Sequence, residues 1–228
     1  ETEKFYKLKE KKLVQYGYGR LDTLLKEKEI FQKTKLSSKL ILITPSYGNN
    51  NLLEVCGIEI IGFLLQSNFK VVLRPHFKIL QDSGNLINSI ENEFGKNPNF
   101  ILEKGVIPSN LFHNSICLIS DWSGISFEYA FTFERPVIFI DVPKKILNPN
   151  SNNLTNSPIE ISLRNQIGHV ISPNNLESIS EILNTIEKND LNSKKIQEIR
   201  SQTVYNIGES AKIGTNYIIK LLNDFDSN

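Results

Sequence analysis

Between Leu40 and Asp141 the chain alternates short, uniformly apolar runs with longer segments whose apolar residues recur at helical spacing. Strands are expected at Leu40–Thr44, Val71–Leu73, Phe100–Leu102, Ile116–Ile119 and Val137–Asp141. Helices are expected at Leu52–Gln66, Ile79–Phe94 and Ser123–Phe133, with a short helical turn at Leu111–Asn114. Strands apolar on both faces need cover on both sides, and strands separated by helices run parallel. The pattern therefore predicts an α/β fold, a Rossmann-like parallel sheet with helices on both faces. A strand at His169–Ile171 follows, then helices at Leu176–Lys188, Ser193–Val204 and Ala211–Leu222 that form a helical C-terminal tail.

Upstream, the first 16 residues interleave Phe5, Leu8 and Leu13 with lysines and glutamates. They read as a basic amphipathic helix, either a linker with a solvated face or a helix lying on a membrane surface. A turn at Tyr16–Arg20 leads into a helix over Leu21–Phe31 with Asp22 in its first turn. The expected organisation is linker helices over 1–35 and one Rossmann-like domain with C-terminal helices over 36–228. Residues 146–158 form an Asn-rich loop with little to bury, expected to be a mobile flap over a site.

Composition removes several function classes. With 26 basic and 25 acidic residues the net charge is +1, which argues against a nucleic-acid-binding surface. No stretch approaches the roughly 18–20 consecutive apolar residues of a membrane-spanning helix, and none reads as a signal peptide. Cys56 and Cys117 lie inside apolar runs and are expected to be reduced core residues of a cytoplasmic protein. The chain contains no methionine, so a piece of a longer protein is expected. Cys and His spacing matches no metal site, and neither a Gly-x-Gly-x-x-Gly nor a Walker loop is present.

Parallel sheets bind ligands at the carboxyl ends of their strands. Here those ends read Thr44-Pro45-Ser46-Tyr47-Gly48, Arg74-Pro75-His76, Ser120-Asp121-Trp122-Ser123-Gly124 and Asp141-Val142-Pro143-Lys144-Lys145. A strand breaking into a helix through Asp121-Trp122-Ser123-Gly124 presents backbone N–H groups and a positive helix end, the arrangement that holds phosphate. Gly124 adds no Cβ there, and Glu128 lies one turn along the same face. An arginine fork at Arg74 with an imidazole at His76 can grip a diphosphate from one side, and a protonated His76 would stabilise charge on a leaving group. Glu128 suits a vicinal diol or is a helix-surface glutamate. Asp121 is a helix cap or turn residue rather than a catalytic acid, and Trp122 either stacks on a base or is structural. His113 and His169 are expected to be structural.

Together these clusters resemble the C-terminal, donor-binding half of the CDP-glycerol glycerophosphotransferase family, the teichoic-acid and capsule polymerases and primases of GT-B fold. The resemblance runs from Tyr16 to about Tyr217. It rests on Gly17-Tyr18-Gly19-Arg20-Leu21-Asp22, Thr44-Pro45-Ser46-Tyr47, Arg74-Pro75-His76 and Ser120-Asp121-Trp122-Ser123-Gly124 with Glu128. Arg135-Pro136-Val137-Ile138-Phe139 and Asn206-Ile207-Gly208-Glu209-Ser210 also fit. The resemblance implies that Arg20, Pro45, Ser46, Arg74, Pro75 and His76 line a CDP-glycerol site, with His76 catalytic. It gives the phosphates to Ser123 and Gly124, and the ribose or cytosine end to Glu128. It implies no metal and no cofactor, a lipid-linked or capsular polymer as acceptor, and a parent enzyme peripheral at the inner membrane face. The general base resembles a histidine of an N-terminal half that this chain does not contain. Phe77, Trp122 and Gly124 depart from the family's usual proline, tyrosine and serine, which leaves CDP-ribitol or another CDP-polyol open as donor. Two other readings stand beside this one: a GT-B sugar transferase or epimerase using a UDP-sugar, and a non-catalytic Rossmann-like interaction module.

Overall fold

The apolar runs form strands β1 (Leu40–Thr44), β2 (Lys70–Leu73), β3 (Phe100–Leu102), β4 (Cys117–Ser120), β5 (Val137–Ile140) and β6 (Gly168–Ile171). They make a six-stranded sheet in the order β3-β2-β1-β4-β5-β6, with every neighbouring pair parallel. This computed structural model describes residues 2–31, 39–105, 109–144, 157–188 and 191–226. Uniform apolarity along each strand has a direct cause. In β1, Ile41 and Ile43 face one core while Leu40 and Leu42 face the other, and both sets are buried.

Helices α3 (Leu52–Gln66), α4 (Phe77–Asp82), α5 (Gly84–Phe94) and α10 (Ser178–Lys188) cover the first core through residues such as Ile60, Ile79, Ile90 and Leu183. On the second, α2 (Gly19–Phe31), α6 (Ser109–Asn114), α7 (Ile125–Phe133), α9 (Arg164–Ile167) and α11 (Leu191–Thr203) bring in Leu21, Phe112, Phe131, Ile167 and Ile199. The one-turn helix α8 (Ile159–Ser162) and the closing α12 (Ser210–Asp226) complete the described elements. Both cysteines are free and buried. No described helix is long and apolar enough to cross a membrane.

Several expectations need correction. The first 16 residues do not form one helix: α1 spans only Thr2–Phe5, and Lys7 has a positive φ of 52°. An isolated amphipathic segment of that length is marginal without a core to bury its few apolar residues. The helix expected over Ile79–Phe94 is broken at Ser83, whose φ −124° and ψ 41° separate α4 from α5. The turns α8 and α9 were not anticipated. The expected flap at 146–158 lies outside the described residues apart from 157 and 158.

The sheet reverses its winding at β1 and β4, which are neighbours although far apart in sequence. Thr44 is paired in register with Ser120, whose Oγ donates to the Thr44 carbonyl at 2.5 Å. A crevice opens where such a reversal occurs, beyond the strand ends.

Candidate donor-binding site

Asp121, immediately after β4, organises the floor of that crevice. Its carboxylate is buried and accepts the N–H of Ser46 at 2.7 Å and that of Leu52, the first residue of α3, at 2.9 Å. Asn51 completes the cap by accepting from Leu53. A negative group at a helix N-terminus satisfies donors that have no partner within the helix and complements the dipole. Asp121 is thus a cap, as expected, but of α3 rather than of the helix that follows it. Ser46 is buried in the process and does not line the cleft.

Above this floor lies a cleft of about 340 Å³. Arg20, Pro45, Arg74, Pro75, His76, Ser123 and Glu128 all line it, so these expected site residues converge. Arg74 follows β2, its N–H tied to the Ile43 carbonyl and its Nε 3.4 Å from the Gly105 carbonyl. Burial pulls its guanidinium below the usual value; Glu103 opposes this, Arg20 adds to it and Glu128 opposes it. His76 caps α4: its Nδ1 accepts the Lys78 N–H at 3.2 Å. With Nδ1 accepting from the backbone, Nε2 is the ring nitrogen left to donate towards the cleft. Tyr47 and Phe77 pack against the ring, with centroids 4.6 and 4.5 Å away.

Gly124 precedes α7 and lines a neighbouring, largely apolar cleft of about 430 Å³ on the other side of Glu128. Its φ of −61° is ordinary and a Cβ there would meet nothing within 4 Å, so the backbone does not demand glycine. The Glu128 carboxylate is held from one side: Tyr18 donates its hydroxyl to Oε1 at 2.6 Å and Arg20 Nε lies 3.5 Å from Oε2. Trp122 is structural. Its Nε1 donates to the Val142 carbonyl at 3.0 Å, and the Arg164 guanidinium covers its ring at 3.9 Å. His113 is buried and packs near Phe133, and His169 lies in β6, away from the cleft lining.

The turn that carries Tyr18 and Arg20 is clamped to the far end of the chain. Asp22 accepts the N–H groups of Gly208 at 2.7 Å and Ser210 at 2.9 Å, capping α12. Burial raises its carboxyl, but bonds from Ser210 and Gly208 outweigh that and hold it below the usual value. Its contribution to stability is therefore present above the unfolded-state value near 3.8 and is lost as pH falls through the lower folded-state one.

The sequence profile of the CDP-glycerol:poly(glycerophosphate) glycerophosphotransferases matches residues 2–145. The chain belongs to that family. Among proteins of curated function none matches it significantly. Solved structures of similar fold include the wall teichoic acid polymerase TagF, at TM-score 0.54 and 19% identity over 92% of this chain and 53% of that one. A UDP-GlcNAc 2-epimerase from Methanocaldococcus jannaschii, solved with UDP-GlcNAc and UDP, gives TM-score 0.56 at 12% identity over 96% of this chain and 57% of that one. The Neisseria meningitidis UDP-GlcNAc 2-epimerase gives TM-score 0.56 at 17% identity, covering 90% and 54%. This glycerophosphotransferase-family chain thus spans about half the length of the structures it matches. Its fold is the one the GT-B resemblance implied.

Two cleft features of this family member escaped sequence reading. Lys104 and Gly105 line the cleft just past β3; the strand-end rule points to them, but β3 is short and weakly patterned. Tyr18 touches Glu128 across 110 residues of sequence, and no local signal marks that contact.

Proposed function

We propose that this chain is the donor-binding part of a glycerophosphotransferase. The enzyme would move a glycerol-phosphate unit from CDP-glycerol to a hydroxyl of a cell-surface polymer or its lipid-linked primer. The observation that carries this reading is the convergence of Arg20, Arg74 and Lys104 on one cleft that the start of α7 and Glu128 also line. Three cations and a helix N-terminus suit a diphosphate, and a carboxylate one turn further on suits the adjoining ribose.

In this reading the acceptor oxygen bonds to the glycerol-bearing phosphorus. The bond from that phosphorus to the bridging oxygen breaks, and CMP departs with the electron pair. Arg74, Arg20 and the His76 Nε2–H stabilise the charge that accumulates on the departing phosphate, a contribution made before the step by fixed geometry. The acceptor's proton passes to a base proposed to lie outside this chain. A cytoplasmic setting at the inner membrane face, and teichoic-acid or capsule polymer as product, belong to the same proposal.

Calorimetric titration with CDP-glycerol, CMP and UDP-GlcNAc tests it. The expected result is binding of both cytidine nucleotides without turnover by this chain alone. Folded protein with no affinity for any cytidine nucleotide removes the proposal. A preference for the UDP-sugar moves the assignment to a sugar transferase or epimerase, whose structural neighbours match this fold equally well.

A further inference from the structure

The Gly17–Asp22 turn is built to present one side chain. Gly17 has φ +114°, and a Cβ there would lie 2.4 Å from Ser210 Oγ and 2.8 Å from the Tyr205 carbonyl oxygen. Only glycine lets the turn press this closely on the segment before α12. Asn206 Nδ2 donates to the Gln15 carbonyl at 2.6 Å, and Asp22 grips Gly208 and Ser210 on the other flank. The turn is thus anchored on both sides of Tyr18. The Tyr18 hydroxyl donates to Glu128 Oε1 at 2.6 Å, while Arg20 from the same turn faces Oε2.

Resting on the donor-site reading, we propose that Tyr18 is a positioning residue. It fixes the Glu128 carboxylate so that its remaining acceptor capacity meets the vicinal diol of the nucleotide's ribose, and so sets preference for ribo- over 2′-deoxynucleotides. The terminal torsion of a glutamate is broad and roughly two-fold, so an untethered carboxylate samples many orientations. Each carboxylate oxygen offers about two acceptor sites. Tyr18 uses one on Oε1 and Arg20 approaches Oε2, which leaves capacity on both oxygens for a pair of hydroxyls. Burial, reinforced by the bond to Glu128, pushes the Tyr18 phenol up to about 12, so it remains a donor at neutral pH. Half-exposed Tyr18 also stands in the wall of the apolar cleft beside Glu128, and the alternative is that it merely fills that wall.

The experiment titrates CMP and 2′-deoxy-CMP into the wild-type chain, Tyr18→Phe and Glu128→Gln. The phenylalanine keeps the ring and removes only the donor, and melting temperatures verify that each variant is folded. Wild type is expected to favour CMP by about tenfold. Tyr18→Phe is expected to lose most of that preference, CMP weakening about five- to tenfold with 2′-deoxy-CMP within about twofold, the range of one hydrogen bond. Glu128→Gln is expected to behave likewise. A Tyr18→Phe protein that weakens both nucleotides equally, or neither, overturns the positioning role alone. Wild type that binds both equally removes the Glu128–diol contact and this role with it, while cytidine binding stands. Wild type that binds neither removes the donor site itself.

Discussion

Arginines stand at the carboxyl edge of both halves of the sheet, and they are held very differently. Beyond β5, Arg164 is buried, donates to Asp141 at 3.1 Å and the Ile140 carbonyl at 3.4 Å, and covers the Trp122 ring at 3.9 Å. Beyond β2, Arg74 makes one long side-chain hydrogen bond among the described residues, to Gly105 at 3.4 Å, and turns into the cleft with Arg20 and Lys104. A guanidinium offers five donors. Where the guanidinium is buried, paired with a carboxylate and stacked on a ring, the arginine is a fastening; where it borders a cavity, it is available to an anion. That contrast separates an open half of the edge, over β1, β2 and β3, from a self-closing half over β5 and β6.

The largest expected effect tests the closed half. Arg164→Leu should cost about 2–3 kcal/mol in denaturant unfolding, because it removes the bonds to Asp141 and the Ile140 carbonyl and uncovers Trp122, while the nucleotide affinity of the folded fraction stays unchanged. Unaltered stability, or lost affinity in folded protein, would erase the distinction. Next, Arg74→Ala should lower CMP affinity about 30-fold, some 2 kcal/mol, with the melting temperature held to within a couple of degrees. A drop in stability without a drop in affinity would make Arg74 a fastening too. The smallest effect sharpens the boundary of the open half. Lys104 is exposed and paired with Glu91 at 2.9 Å. Lys104→Ala should weaken CMP only about two- to fourfold at low salt, and the difference should vanish near 0.5 M salt. A loss that persists at high salt would put Lys104 in direct contact with the nucleotide.

Much of the open half was legible because strand ends are local. Uniformly apolar strands located themselves, and Arg74, Pro75, His76 and Ser123 followed from the rule that ligands gather where such strands stop. Phe77 and Trp122, departures from the family pattern, found different explanations: Phe77 packs on His76, and Trp122 is spent on Arg164. What stayed hidden depends on partners far away in sequence. Asp121 reaches Ser46 across 75 residues and Tyr18 reaches Glu128 across 110, and no periodicity encodes either meeting. The break at Ser83 and the unwound stretch after Phe5 were misjudged for the opposite reason. Their local pattern is helical, but pattern alone does not hold a helix: the stretch after Phe5 is exposed with no core to pack on, and the backbone breaks at Ser83.

Asp22 joins residues 186 positions apart, and the joint lies within a few residues of the Tyr18–Glu128 contact. On the proposed role of Tyr18, the tail is in regulatory terms upstream of selectivity. A partner, a modification or a sequence change that loosens α12 would first blur which nucleotide the cleft accepts, well before it unfolded the sheet. Substrate choice and tail docking would then drift together over evolution.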